Sequence, residues 1–302
     1  MLGRHKGVKI ACAIGLLALH LFCRATGFGQ ITTTFDSTAL NQSKRAAYLP
    51  CKDLEESNNT LVVLRTGATE LQGRLAIHLD TSIRCFANYL IFSDFEETYL
   101  GEHILNALDD VSANISNHHP DFDLYRRLKK EGRSSLATSE LAGLPDAIAS
   151  KSGNTHIPGW KLDKWKFLPM LKRTLQERPD MKWYVFIEAD TFLFWSTLQQ
   201  YLTSLNPSDP IHAGNSMFVG DTRFAHGGSG FVVSQPALQM VVEYYEAHKD
   251  EIESFTADHW CGDCVLGKTF TDAGVPFTNA WPAFQSDFPG TYPYIQASDH
   301  SV

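Results

Sequence analysis

No G-x-G-x-x-G run follows the first apolar stretch of this chain, and no G-x-x-x-x-G-K-[ST] run occurs in it. The first absence argues against a dinucleotide-binding loop, and the second removes phosphate-loop nucleotide hydrolases. Long basic runs are also missing. With 26 Lys and Arg against 34 Asp and Glu, the net charge is −8, so electrostatic capture of nucleic acid is excluded as a function class. No internal repeat is present. Cysteine is scarce, at six of 302 residues. Cys261-Gly262-Asp263-Cys264 has no second C-x-x-C or H-x-x-x-H partner, so a zinc site cannot be completed from it. What remains is 43% hydrophobic and 20% charged, a composition for one sizeable globular domain or two small ones. An acidic protein that handles an anionic nucleotide needs a metal, or a few local Lys and Arg residues, to do so.

The N-terminus carries an address. Residues 1–9 hold Arg4, Lys6 and Lys9 and no acid, which reads as a cytoplasmic basic tail; residues 10–26 are apolar to Cys23 and end in Ala25-Thr26. A signal anchor and a cleaved signal peptide both fit. If anchored, the positive flank stays in the cytoplasm and the remainder is lumenal, a single-pass type II protein; if cleaved, the product is secreted. Three glycosylation sequons, at Asn41, Asn58 and Asn114, favour export. Residues 27–50 are polar and Ser/Thr-rich and read as a stem, leaving 51–302 as the folded lumenal domain. Outside the leader the cysteines are Cys51, Cys85, Cys261 and Cys264, an even number suited to an oxidising compartment. Cys51 is expected to pair with Cys85, because the two flank the first βα unit.

Strand and helix signals alternate along that domain. Leu61 to Arg65 reads as a buried strand ending in the turn Thr66-Gly67-Ala68-Thr69, with Thr69 as cap for a helix from Glu70 to about Ile83. Tyr89 to Phe92 is a second strand ending in Ser93-Asp94. Helical spacing recurs at Glu102 to Val111, Phe122 to Lys130 and Lys161 to Glu177, the last with Trp165, Leu168, Leu171 and Leu175 on one stripe. A Gly/Ser/Pro-containing connection occupies about Gly132 to Pro158. Trp183 to Ile187 is a third strand, followed by a helix near Ser196 to Leu205 and a mixed β-region to Gly220. A glycine turn then precedes the strand Phe231 to Ser234, and a helix from Pro236 runs to about His248. Such alternation predicts an α/β fold with a mostly parallel, Rossmann-like sheet.

Two strand ends carry chemistry. The third strand stops abruptly at Glu188-Ala189-Asp190-Thr191, two carboxylates spaced i, i+2 at the rim where α/β sheets bind ligands. Such a pair repels itself unless a cation shares it, and hard divalent metals prefer oxygen. Thr66-Gly67 and Asp94, at the ends of the first two strands, resemble half of a nucleotide-binding sheet, although Asp94 also fits the cap of an ordinary turn. His226 and His259 lie beside these motifs, as bases, ligands or simply hydrogen-bonded rings. Lys164 and Lys166 are placed to meet phosphate or, more simply, to line a solvated helix face. Trp160, Trp165 and Trp183 are expected in the core or at its rim, whereas Trp260 and Trp281 flank Asp263 and are candidates for stacking on a sugar.

Taken in order, Thr66-Gly67, Phe92-Ser93-Asp94, Glu188-Ala189-Asp190-Thr191, His226 to Ser234 and Gly262-Asp263-Cys264-Val265-Leu266-Gly267 resemble the β1,3-glycosyltransferases of family 31. That is the Fringe and core-1 galactosyltransferase (N-acetylgalactosaminide β-1,3-galactosyltransferase) group, and specifically its fungal members; the resemblance covers about Leu61 to Pro282. It implies a GT-A fold, a UDP-sugar donor, Mn²⁺, inversion at the anomeric carbon and a Golgi location. Carried onto these positions, Asp190 and Glu188 become metal ligands, with Asp190 the direct one. Thr66 and Asp94 contact uridine, Gly227 and Gly228 let backbone approach the sugar, and Asp263 is the general base. The implied acceptor is a protein-linked glycan such as O-linked GalNAc, and the implied reaction is transfer of galactose. Fringe-like N-acetylglucosaminyl transfer and a UDP-binding protein without turnover are the alternatives. The chain departs from the family pattern in having E-x-D for D-x-D. It also ends at Val302 with only His300 where relatives carry a metal-binding histidine, so a shortened C-terminus is expected. The partner of Cys264 is left open.

Overall fold

The computed structural model describes residues 51, 54, 56–142 and 158–287, all within one unit spanning Leu49–Val302. The basic tail, the anchor, the stem, Asn41 and His300 lie outside the described residues, so the expectations about them are not addressed. Among the described residues no helix is long and apolar enough to cross a membrane.

The elements follow the apolar runs of the sequence. The first strand, β1, is Thr60–Arg65, buried along its whole length. After a π-helical turn at Leu71–Leu75 come a short helix α1 (Ala76–Asp80) and a 3₁₀ turn (Ser82–Cys85), then β2 (Asn88–Ser93), β3 (Glu97–Tyr99) and β4 (Glu102–Asn106). Helices α2 (Ala113–His118), α3 (Asp123–Glu131) and α4 (Pro158–Glu177) lead to β5 (Trp183–Glu188) and α5 (Trp195–Thr203). The strands β6 (His212–Gly214), β7 (Ser216–Val219), β8 (Thr222–Ala225) and β9 (Phe231–Ser234) follow. The described chain closes with α6 (Gln235–Ala247), α7 (Lys249–Asp258), α8 (Gly262–Asp272) and β10 (Phe277–Asn279).

Eight strands form one sheet in the order β10-β6-β9-β5-β1-β2-β4-β3, and β7-β8 is a separate hairpin. β1, β2, β4, β5, β6 and β10 run in one direction, and only β9 and β3 oppose them. Strand side chains alternate between the two faces, as their period of two requires. Leu61 and Val63 join Tyr184, Phe186, Phe231 and Val233 beneath α4, α6 and α8. Val62 and Leu64 join Trp183, Val185, Ile187 and Val232 against Leu71, Leu75 and α5. From β1 the chain first moves outward through β2 to β4 and then returns to place β5 on the other side of β1. That reversal is a topological switch point, and it opens a crevice at the carboxyl ends of β1 and β5.

Three local expectations are corrected. Glu102 to Val111 is not a helix but β4 and a turn. Ile104, Leu105, Leu108 and Val111 are all buried at spacings a helix shares, but Leu100 (φ 51°) and Gly101 (φ 89°) form a hairpin turn that returns the chain beside β3. The Glu70 to Ile83 helix is broken into π, α and 3₁₀ turns. Thr69 caps none of them; its hydroxyl instead lies against Gly159, where an added Cβ would come within 2.6 Å. The helices α7 and α8 had no clear sequence signal. The pairing of Cys51 with Cys85 is present, and Cys261 is bonded to Cys264.

Candidate active site

Parallel pairing of β1 with β5 sets Arg65 directly opposite Glu188, so both strands end in a charge at the same depth. The Arg65 guanidinium pairs with Glu188 Oε1, donates to the Asp163 carbonyl at 3.3 Å and lies 4.0 Å over the Phe167 ring. Burial works against its charge, but Glu188 and Asp163 outweigh burial and hold its pKa above the ordinary value. Glu188 is pushed up from the usual carboxylate range, chiefly by burial and further by Asp190 and Asp163, with Arg65 opposing. The next acid along, Asp190, is about half exposed, and its Oδ2 accepts a 2.7 Å bond from Arg74. The same Arg74 nitrogen reaches Glu70 Oε2 at 3.0 Å. Glu70 is raised to about 7 by burial first and Asp163 second, against the pull of Arg74 and Lys166.

The loop after β1 is held from below. Asp94 has no exposed surface: its Oδ1 accepts from the Ala68 N–H at 2.8 Å, and its Oδ2 is 3.2 Å from Lys166 Nζ. Lys166 is likewise buried, donating to the Thr66 carbonyl at 3.0 Å and to Asp163 Oδ1 at 2.7 Å. Its pKa is raised, because Asp163 and Asp94 overcome the burial that would lower it. In this arrangement Asp94 shapes the Thr66–Thr69 turn. Lys166 lines no solvated face, and Lys164 does not either, since it binds the Ala257 carbonyl and Asp121. Thr66 is nearly buried, with its hydroxyl 3.3 Å from Glu70 Oε1.

Hydrogen bonds tie the acid motif to the glycine turn. The Glu188 N–H donates to Thr191 Oγ1 (3.1 Å), and that hydroxyl donates to the Gly228 carbonyl (2.9 Å). The Gly227 N–H donates to Asp263 Oδ2 at 3.0 Å. A Cβ on Gly227 would come within 2.8 Å of Glu188 Oε1 and 3.6 Å of Asp263 Oδ2, so this glycine is the wedge that lets the two carboxylates converge. Gly228 meets only the His226 ring, whose Nδ1 is bonded to Ser229 Oγ (2.8 Å). His259 is bonded to the Phe255 carbonyl (3.1 Å) and packed on its ring. Both histidines are therefore satisfied hydrogen-bonding groups.

Asp263 sits in the first turn of α8. Its Oδ1 accepts from the Cys264 N–H at 3.1 Å and touches the Cys261 sulfur at 3.0 Å. Because that sulfur is in a disulfide it has no proton to donate, so the second approach is a contact rather than a hydrogen bond. The same bond excludes the Cys261-Asp263-Cys264 cluster as a thiolate metal site. Trp165 and Trp183 are core residues, whereas Trp260 and Trp281 are more than half exposed.

Arg65, Arg74 and Lys166 thus face Glu70, Asp94, Asp163, Glu188, Asp190 and Asp263, three cations against six carboxylates. That excess adds to the burial that raises Glu70 and Glu188, and it suits a divalent cation with oxygen ligands. Asp190 fits such an ion: it is solvent-accessible, and its Oδ2 is engaged only by Arg74, itself partly exposed. Glu188 fits through Oε2 alone, since Arg65 occupies Oε1. The motif reading found the acids but missed Arg65, Glu70, Arg74 and Asp163. Arg65 did carry a signal, as the one charge closing an otherwise apolar strand; the other three did not.

A mostly parallel sheet with helices on both faces, a switch-point crevice and an acidic motif at its β5 rim make this a GT-A type glycosyltransferase fold. A family model described as Fringe-like matches residues 56–288, and the chain belongs to that family. It is similar to beta-1,3-glucosyltransferase of Mus musculus, 28% identical over 118 residues, which are 37% of this chain and 22% of the relative. Against the Homo sapiens beta-1,3-glucosyltransferase the identity is 29% over 133 residues, 42% of this chain and 25% of the relative. Chondroitin sulfate synthase 2 of Mus musculus is 27% identical over 101 residues, 31% of this chain and 13% of that protein. The matched stretch spans a quarter or less of each relative's length.

Proposed function

We propose that the chain is an inverting hexosyltransferase of the secretory pathway that transfers a sugar from a UDP-sugar to a hydroxyl of a glycan, forming a β1,3 linkage. The observation that carries this reading is the convergence on Gly227: one carboxylate, Glu188, from the β5 rim and another, Asp263, from the start of α8. The first belongs to the motif that holds the donor diphosphate. The second stands apart from it: Arg65 feels its charge, but no cation forms a close ion pair with it among the described residues.

Asp190 would be the direct ligand of a Mn²⁺ ion, and Glu188 would contribute through Oε2 or a water-bridged contact. Bound there, the ion supplies Lewis-acid neutralisation of the charge on departing UDP. The buried Thr66–Thr69 turn, fixed from below by Asp94 and Lys166, shapes the floor of the crevice that receives the nucleotide. The Gly227-Gly228 turn borders the sugar. Asp263 Oδ2, oriented by the Gly227 N–H, takes the proton of the acceptor hydroxyl while that oxygen forms its bond to C1. The C1–O bond to the diphosphate breaks, its electron pair leaves with UDP, and a single displacement inverts C1.

Galactose is the donor sugar the family resemblance implies, with O-linked GalNAc as acceptor. Glucose is the second reading, favoured by the names of two of the relatives. Release of UDP from UDP-galactose, UDP-glucose and UDP-N-acetylglucosamine, with and without Mn²⁺, tests both. Asp263→Asn is expected to cut kcat about 10²- to 10⁴-fold with UDP binding retained. Asp190→Ala is expected to abolish Mn²⁺-dependent UDP binding. UDP binding without turnover of any donor would leave a glycan- or nucleotide-binding protein and end the enzyme reading.

A further inference from the structure

The two proposed metal carboxylates each carry an arginine, and the two arginines are held differently. Arg65 is locked: its side chain is 7% exposed, stacked on Phe167 and bonded to a backbone carbonyl as well as to Glu188. Arg74 is 23% exposed, sits in a π-helical turn, and contacts only the carboxylates of Glu70 and Asp190 among the described residues. Both contacts use Nη1, so Nη2 and Nε donate to nothing among the described residues. A guanidinium with unused donors beside a rim that receives a diphosphate is matched to phosphate oxygens, which it grips as a fork.

Resting on the metal-diphosphate reading of Asp190, we infer that Arg74 is an exchangeable counter-cation: it neutralises Asp190 in the free protein and becomes a diphosphate ligand once metal and nucleotide arrive. Two consequences have opposite sign. A divalent cation alone competes with Arg74 for Asp190, which keeps its affinity low. With UDP present, the displaced guanidinium gains a new anion, so the nucleotide offsets the loss of the old ion pair. Metal and UDP therefore bind cooperatively, and Arg74 is part of the coupling. Arg65 cannot serve this way, because its guanidinium is buried on Phe167 and moving it would leave Glu188 without its cationic partner.

The test titrates Mn²⁺ alone, by electron paramagnetic resonance, and then UDP at saturating Mn²⁺, by calorimetry, into the whole chain. Arg74→Met is expected to bind Mn²⁺ alone about 2- to 5-fold more tightly, the inverse of losing an exposed ion pair. The same variant is expected to bind UDP about 10-fold or more weakly, the loss of a charge-assisted bond. Arg74→Lys, which keeps the charge but not the fork, should leave Mn²⁺ affinity near wild type while still weakening UDP, and it serves if the Met variant fails to fold. Wild-type protein that binds no UDP would overturn the site reading and this inference together. Normal wild-type binding, with both affinities falling or neither changing in Arg74→Met, would overturn this inference alone.

Discussion

Side chains at the site do their work in pairs whose members lie far apart in the chain, and Gly227 shows the tolerance of that arrangement. A Cβ there would stand 2.8 Å from Glu188 Oε1 and 3.3 Å from Phe167 Cζ, and Glu188 cannot retreat because Arg65 pins it. Gly227→Ala is therefore expected to destabilise the fold by about 1–3 kcal/mol, an overpacking penalty read as a lowered melting temperature. Gly228→Ala, whose nearest neighbour is the His226 ring at 3.0 Å, should cost less. Two titratable groups, one buried and one partly buried, act in opposite directions. His212 is fully buried, stacked on Phe270, with both ring nitrogens unpartnered among the described residues, and burial lowers its pKa from 6.5 to about 3. Between those values the unfolded chain takes up a proton that the fold refuses, so stability falls as pH drops from 6.5 to 3. Glu70 is raised from 4.5 to about 7, so the fold keeps a proton the unfolded chain releases, and stability falls as pH rises across that window. Each slope reaches at most about 1.4 kcal/mol per pH unit, and they oppose between 4.5 and 6.5. Compared with wild type, the urea midpoint should fall more with rising pH across that window in His212→Phe, and rise more with pH in Glu70→Gln.

Among the elements, the two disulfides have different tasks, and loop length separates them. Cys51–Cys85 spans 34 residues, whereas Cys261–Cys264 spans three. Chain-entropy scaling assigns about 4 kcal/mol to the first and about 2 kcal/mol to the second. The long loop ties the start of the folded domain to the turn before β2. The short one closes the first turn of α8 around Asp263. Replacing Cys51 and Cys85 by Ser should lower the melting temperature more, and replacing Cys261 and Cys264 should lower kcat more, because Asp263, the proposed base, loses its fixed turn. Equal effects on both readouts would contradict that division. The misread β4 belongs to this scale too. Its apolar spacing satisfies a helix, and only the positive-φ turn at Leu100-Gly101 and the edge of β2 made it a strand. Local periodicity cannot report a sheet edge waiting nearby.

At the scale of the molecule, the order of strands decides where chemistry occurs. Central β1, flanked by β2 on one side and β5 on the other, creates the crevice, and α4 closes it from below by delivering Asp163, Lys166 and Phe167. Much of this was readable beforehand. The strands β1, β2, β5 and β9 were legible because each is a run of apolar or β-branched residues bounded by turn formers. The acids Glu188, Asp190, Asp94 and Asp263 were legible because they stand at the ends of those runs or in an ordered set of motifs. The cysteine pair was legible from number and position. The α/β class followed as well, since alternating periods leave few ways to bury both faces of a sheet. Long-range pairing was not legible. Arg65 with Glu188, Arg74 with Asp190 and Lys166 with the Thr66 carbonyl each join residues a hundred or more positions apart. Their meeting depends on which strands adjoin and in what register, and a shift of one residue along β1 would turn Arg65 away from Glu188. Sequence determined which groups this protein possesses and which stretches become strands. Register and layer packing determined which charges face each other, because electrostatic partnership depends on distance in space and burial rather than on order along the chain.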